Sequence, residues 1–268
     1  MNSGQAGIGE EGDEDVREAE FWAWVNRGSR DRIRAEVLDP AILAAIGPVE
    51  GRTVLDAGSG EGELARAIAR RGARVTAVDR SPAMVRSAAR EATEQGLSMH
   101  CALADIERLP LRPESVDVVV ARDVLNDLAD PRGALSECSR VLAPGGRMIA
   151  LVLHPCFSRP RTGLGPAESY FDMQEVETGS KVAGVMAPKR RRISCWPLGS
   201  LIEHFVTSGF FIAGMTEPRP TSAQRNSDPW WQDKLTYPYH LIIDAISKAD
   251  GGHQEPVVDT SRSTGSNP

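Results

Sequence analysis

The stretch Thr53-Val54-Leu55-Asp56-Ala57-Gly58-Ser59-Gly60-Glu61-Gly62-Glu63 decides how this chain is read. Thr53 to Leu55 is a short apolar strand that ends in Asp56. Three alternating glycines follow, and a helix opens behind them. A second apolar strand, Val75 to Val78, ends in Asp79. A turn of alternating glycines lets a ligand approach the backbone where any Cβ would clash. The helix start offers unpaired N–H groups to a polar ligand. An acid at the tip of the next strand suits a ribose diol. These features together describe a seat for an adenosine-containing cofactor.

The bulk composition sets the class around that seat. The chain has 268 residues, 41% apolar and 25% charged, which is ordinary for a globular protein of one large domain or two small ones. A net charge of -6 gives no general attraction to nucleic acid or to an anionic membrane. No apolar run approaches the roughly 18 residues needed to span a bilayer. Cys101, Cys138, Cys156 and Cys195 are scattered, with no C-x-x-C pair, so neither a zinc knuckle nor a disulfide framework is expected. A reduced cytoplasmic setting and no metal follow as expectations.

Along the chain, residues 1–16 and 249–268 are polar and Gly- or acid-rich and are expected to be disordered tails. Residues 17–248 form the expected domain. Phe21 to Arg30 and Arg32 to Ile46 read as helices, with a break or kink at Asp39-Pro40. Strands are expected at 53–56, 74–79, 98–104, 116–121 and 147–153, with helices between them. Ser81-Pro82 and Asp130-Pro131 are helix starts. Residues 155–197, rich in Pro, Gly and Arg, are an acceptor-side insert or lid, or carry small elements of their own. A helix at 198–208 and strands at 211–216 and 239–245 close the domain. Continuous apolar strands alternating with helices predict a doubly wound, seven-stranded, mostly parallel α/β sheet of Rossmann-like form.

The chain resembles the class I S-adenosylmethionine-dependent methyltransferases. The resemblance runs over about residues 30–245. It rests on Asp56-Ala57-Gly58-Ser59-Gly60-Glu61-Gly62, then on Asp79-Arg80-Ser81-Pro82-Ala83-Met84 and Ala104-Asp105-Ile106. Ser115-Val116-Asp117-Val118-Val119-Val120 and Leu142-Ala143-Pro144-Gly145-Gly146 complete it. It implies S-adenosyl-L-methionine as cofactor, with Asp79 on the ribose and Asp105 on the adenine amine. Gly58, Ser59 and Gly60 would pass under the ribose and methionine portions. Asp56 would steer the loop and meet the methionine amine, with Arg122 near the amino-acid end. Arg80, Met84 and Ile106 would lie beside the adenine, Arg80 either stacked there or turned to solvent.

A nicotinamide oxidoreductase is the alternative on a related fold, and a non-catalytic cofactor-binding partner is another. The nicotinamide fingerprint wants a small residue where Glu63 stands, and Asp56 would repel a pyrophosphate. The cationic methionine end of S-adenosylmethionine suits Asp56 instead. The expected reaction is methyl transfer to a small-molecule acceptor at oxygen, nitrogen or carbon. His154, directly after strand five, is the candidate base; its other reading is a bond to backbone at the turn before Pro155. Lys189-Arg190-Arg191-Arg192 is either a lure for an anionic acceptor or a solvated loop. Trp22, Trp24, Arg27 and Arg30 belong to a helix covering the site or simply packing on it. Trp230-Trp231 walls a pocket or pins a loop. His240 reads as a core or edge residue.

Overall fold

The computed structural model describes residues 12–157 and 170–248. The central sheet has seven strands: β1 (Thr53–Ala57), β2 (Arg74–Asp79), β3 (His100–Leu103), β4 (Val116–Arg122), β5 (Leu142–Leu153), β8 (Phe210–Thr216) and β9 (His240–Ser247). Their order is β3-β2-β1-β4-β5-β9-β8. Neighbours from β3 to β5 pair in parallel, and β9 runs antiparallel to both β5 and β8. The sheet is therefore mostly parallel, as the apolar runs predict.

Both faces of the sheet are covered, and the strand residues divide accordingly. Val119 and Ala121 of β4, with Met148, Ala150 and Val152 of β5, pack against α5 (Arg132–Val141) and α6 (Leu198–Thr207). Val118, Val120, Ile149 and Leu151 face the other way, onto α2 (Asp39–Ile46) and α3 (Glu63–Ala69). α4 (Pro82–Glu94) is capped as its sequence dictates: Ser81 Oγ accepts from the Met84 amide at 3.4 Å, with proline next in line.

Two expectations need correction. Asp39-Pro40 does not end the helix. Arg34–Leu38 forms a π-helix that runs straight into α2, with the Asp39 amide donating to the Arg34 carbonyl. The wider π turn gives room to a proline that would clash with the preceding turn of a regular α-helix. The second correction concerns the ends: α1 (Asp13–Arg27) opens inside the segment expected to be a tail. Its first turn carries Asp13, Glu14 and Asp15, acids that complement the positive end of a helix. Residues 1–11 and 249–268 lie outside the described residues.

The insert has structure of its own. β6 (Gln174–Val182) and β7 (Val185–Cys195) form an antiparallel hairpin closed by Ala183 and Gly184, at φ 48 and 84. Two positive φ angles are the mark of a type I′ turn, whose twist matches that of the strands it joins. Phe21 and Val25 of α1 pack on Val182 and Ala187 of the hairpin. Helix and hairpin together cover the carboxyl edge of the sheet.

Phe205 has no exposed surface and meets Phe210 edge to face, with ring centroids 5.9 Å apart. Phe205→Ala is expected to cost about 3–5 kcal/mol, measured as a lowered denaturant midpoint at unchanged slope. A loss below about 1 kcal/mol would place this ring outside the cooperative core.

Candidate functional site

The glycine loop is built to bring backbone close to a ligand. Gly58 and Gly60 both take positive φ, 71 and 56. A Cβ on Gly58 would lie 2.4 Å from Val124 Cγ2, so this glycine lets β1 approach the segment after β4. A Cβ on Gly60 would meet nothing within 4 Å. Gly60 faces the open cleft, and a side chain there would fill it. The Gly60 amide donates to Asp79 Oδ2 at 2.8 Å, and the Ser81 amide donates to Asp79 Oδ1 at 2.9 Å. The Ser59 amide donates to the Val78 carbonyl at 2.9 Å. Burial raises the pKa of Asp79, and the two amides oppose that rise.

The cleft above this loop has a volume of about 1050 Å³, ample for a nucleoside-sized ligand together with a second small molecule. Gly58, Ser59, Gly60, Asp79, Arg80, Met84, Asp105, Ile106 and Arg122 all line it. Arg80 is exposed at the rim, while Ile106 is buried. Leu103, Met84, Ile106 and Pro110 supply an apolar wall beside Asp105. Opposite stand Glu18, Trp22 and Asn26 of α1 and the run Lys189 to Arg192 of β7.

That basic run is a strand rather than a solvated loop. Arg190 and Arg192 point outward and pair with Glu177 and Glu175. Lys189 and Arg191 turn inward, toward Asp15 and Asp127. α1 is latched to the loop itself: Asn26 Nδ2 donates to Glu61 Oε1 at 2.5 Å, and Arg66 holds the other oxygen at 2.8 Å.

Asp56 is 1% exposed and lies under the loop, outside the lining of the cleft. Its Oδ2 has no hydrogen-bond partner. Burial pushes its pKa up to about 7, against the opposing pull of Arg122. A buried carboxylate at the tip of β1 with one oxygen lacking a hydrogen bond fits a cofactor that brings positive charge to the loop.

His154 is not brought to the cleft. Its ring is buried behind β5, Nδ1 accepts from the Cys156 amide at 3.1 Å, and Nε2 lies 3.1 Å from Glu217 Oε1. The chain turns at Pro155, and the imidazole folds back to bond the turn. Trp231 is likewise structural: it packs with Val37 and Leu235, and Arg32 stacks over Trp230 at 4.4 Å.

At the tip of β4 the sequence placed Arg122 and Asp123 near the amino-acid end of the cofactor and read His240 as a core or edge residue, but it did not bring Arg34, Asp123 and His240 together. Asp123 lines the cleft with a positive φ of 62. His240 Nε2 lies 3.7 Å from its Oδ1, and Arg34 Nη2 lies 3.8 Å from its Oδ2. Arg34 also stacks over Trp22 at 4.8 Å. Arg191 grips Asp127 with both carboxylate oxygens at 2.6 Å and donates to the Asp123 carbonyl at 3.3 Å. Arg122 donates to both oxygens of Asp39, at 2.7 and 2.9 Å. Burial works against the Arg122 charge, but Asp39 and Glu63 outweigh it and hold the guanidinium protonated. The signal for Asp123 was its place directly after a buried parallel strand.

The raised Asp56 pKa has a pH consequence. The folded protein holds this proton more tightly than the unfolded chain, whose carboxyl titrates near 3.8. The stability it contributes is complete below that value and is lost as pH rises toward about 7. Ligand-free Asp56→Asn is therefore expected to gain on the wild type between about pH 5 and about pH 8. Denaturant midpoints at the two pH values check this; a gap that does not change with pH contradicts it.

Residues 55–150 match the family model described as a methyltransferase domain. A ubiquinone biosynthesis O-methyltransferase of Methylocella silvestris is 41% identical over 107 residues, which are 40% of this chain and 42% of that protein. The chain thus matches less than half the length of this relative. Among solved structures, an S-adenosylmethionine-dependent methyltransferase from Listeria monocytogenes, itself described as putative, superposes with a TM-score of 0.63 at 22% identity. It covers 79% of this chain and 95% of that one. The cyclase SpnF superposes with a TM-score of 0.54 at 23% identity, over 79% of this chain and 81% of its own. Residues 55–150 are thus a methyltransferase domain by that match, and the seven strands between Thr53 and Ser247, with a glycine loop after β1 and an acid at the tip of β2, have the fold of the solved S-adenosylmethionine-dependent methyltransferases.

Proposed function

We propose that the protein transfers a methyl group from S-adenosylmethionine to an oxygen of a small-molecule acceptor. The observation that carries this reading is the pairing of the Gly60 amide with Asp79 beneath an open cleft that also holds Asp105. When bound, the cofactor supplies a methyl group already activated by a sulfonium. The residues then have to bind, orient and exclude water. Asp79 would hold the ribose hydroxyls and Asp105 the adenine amine, and Met84, Ile106 and Leu103 would line the flat faces of the base. Gly60 would give the ribose and methionine portions close passage along backbone. Buried Asp56, below the loop, would offset the positive charge at the methionine end. α1 and the β6–β7 hairpin cover the cleft, and confinement of this kind contributes on the order of 7–11 kcal/mol through proximity and alignment. Oxygen as the methylated atom is supported by the curated relative, which is named as an O-methyltransferase.

Charge argues against the nicotinamide alternative. Glu63 opens α3 with a half-buried carboxylate whose Oε2 lies 3.7 Å from Arg122 Nη1. Burial raises its pKa. A pyrophosphate over this loop would stand above two acids, Asp56 and Glu63, where that fingerprint offers an uncharged helix start. The SpnF fold match shows that this architecture also carries other chemistry, so binding and turnover need separate tests.

S-adenosylhomocysteine at about 100 times its Kd is expected to stabilise the protein by roughly 2.7 kcal/mol, with no effect from NAD in the same thermal-shift series. Asp79→Asn is expected to weaken that binding at least about tenfold by calorimetry. A folded wild type that takes up NAD and not S-adenosylhomocysteine would overturn the reading.

A further inference from the structure

Several carboxylates that line the cleft already receive hydrogen bonds. Asp79 takes the amides of Gly60 and Ser81, Asp127 takes Arg191, Glu61 takes Asn26 and Arg66, and Glu18 takes Trp22 and the Lys189 amide. Asp123 differs. Among the described residues no N–H or O–H donates to its carboxylate; its contacts are the two ion pairs, at 3.7 Å to His240 and 3.8 Å to Arg34.

The backbone of Asp123 is held in a costly form. A φ of 62 on a residue other than glycine is sparsely populated and is retained only where the surroundings over-determine it. Here the amide donates to the Leu151 carbonyl at 3.0 Å, and Arg191 bonds the Asp123 carbonyl from the hairpin. Both peptide groups are pinned, so the carboxylate is kept over the end of β4 and beside the glycine loop, where Gly58 abuts the next residue, Val124. Burial disfavours its charge, yet His240, Arg34 and Arg191 outweigh burial and hold it ionised.

The flanking charges select the ligand group. A protonated amine brought to this carboxylate would also meet the Arg34 guanidinium, a full positive charge on the far oxygen. A neutral hydroxyl meets no such repulsion. Its oxygen gains from the nearby guanidinium as it loses its proton. Trp22, lining the cleft with Arg34 stacked on it, supplies a flat surface for an aromatic ring.

We propose that Asp123 receives the reacting hydroxyl of a phenolic acceptor and takes its proton. This deepens the methyltransferase reading and rests on it. As the carbon–oxygen bond forms, the carbon–sulfur bond breaks and its electron pair goes to sulfur, which loses its positive charge. The O–H bond breaks, and the proton passes to the Asp123 carboxylate. His240 and Arg34 are positioning residues that keep this carboxylate ionised before the step.

The test uses the full chain, with catechol, a monophenol and phenethylamine as probes. Asparagine tolerates positive φ as aspartate does, so Asp123→Asn keeps the backbone. This variant is expected to bind S-adenosylhomocysteine within about threefold of wild type and to bind catechol at least about tenfold more weakly by calorimetry. Its kcat on the phenols is expected to fall about 10²–10⁴-fold. Asp123→Glu, which keeps the charge, covers the case in which Asp123→Asn does not fold, and is expected to lose kcat with S-adenosylhomocysteine binding retained. Wild-type kcat in either variant overturns the proposal while leaving the methyltransferase reading intact. Loss of S-adenosylhomocysteine binding in both variants assigns Asp123 to the cofactor and also overturns it. So does a wild type that methylates phenethylamine and neither phenol, or none of the three probes. Failure of the wild type to bind S-adenosylhomocysteine at all is the separate result that sinks the underlying reading.

Discussion

The hydrogen bond from the Gly60 amide to the Asp79 carboxylate joins the tips of two neighbouring parallel strands, and the site is arranged around it. It draws the loop after β1 toward β2, leaves the loop with its open side to the cleft, and puts a half-buried acid at the centre of the floor. The bond exists because both strands end at the same edge of a parallel sheet. The helix behind each strand then starts at that edge, and unpaired amides gather there. The Ser81 amide, at the start of α4, holds the second Asp79 oxygen in the same way.

A second layer of the site is ionic. Arg122 with Asp39, Arg191 with Asp127, and Arg66 with Glu61 are half-buried or buried pairs beneath or beside the cleft. Pairs of this kind contribute little net stability, because desolvation consumes most of the Coulomb gain. Their effect lies in geometry. Each ties an element outside the sheet to a strand tip or to the glycine loop: α2 to β4, the hairpin to the segment after β4, α3 to the loop. α1 joins through Asn26 on Glu61, and through Arg27 on Glu91 of α4. The cover over the cleft is thus fastened largely by polar contacts, with a small apolar cluster at Phe21, Val25, Val182 and Ala187.

The departures from sequence expectation have physical causes. His154 stands where a base would be useful, at the end of β5, yet Pro155 turns the chain there and the imidazole is spent on the Cys156 amide and Glu217. Direction of a side chain after a turn depends on the turn, and the residue type does not report it. The run Lys189 to Arg192 reads as loop by charge alone. It is a strand because Ala183-Gly184 closes a tight hairpin and the charges alternate between two sides, each meeting acids. The turn was the available signal for that hairpin, and the charge obscured it.

Local patterns alone were sufficient for the parallel sheet, the glycine loop and the strand-end acid Asp79, whereas Asp105 came from the family resemblance. Strand periodicity, glycine freedom and helix capping act over a few residues and leave their mark in neighbouring positions. The meeting of Arg34, Asp123 and His240 is of another kind. These residues belong to a π-helix, the end of β4 and the start of β9, and no local pattern relates them. They come together because β9 inserts antiparallel beside β5, which brings its first residue to the carboxyl edge, and because the π turn carries Arg34 over that edge. Strand order and helix register are properties of the whole packed core, so the end of the cleft beyond the glycine loop was settled only by the tertiary structure.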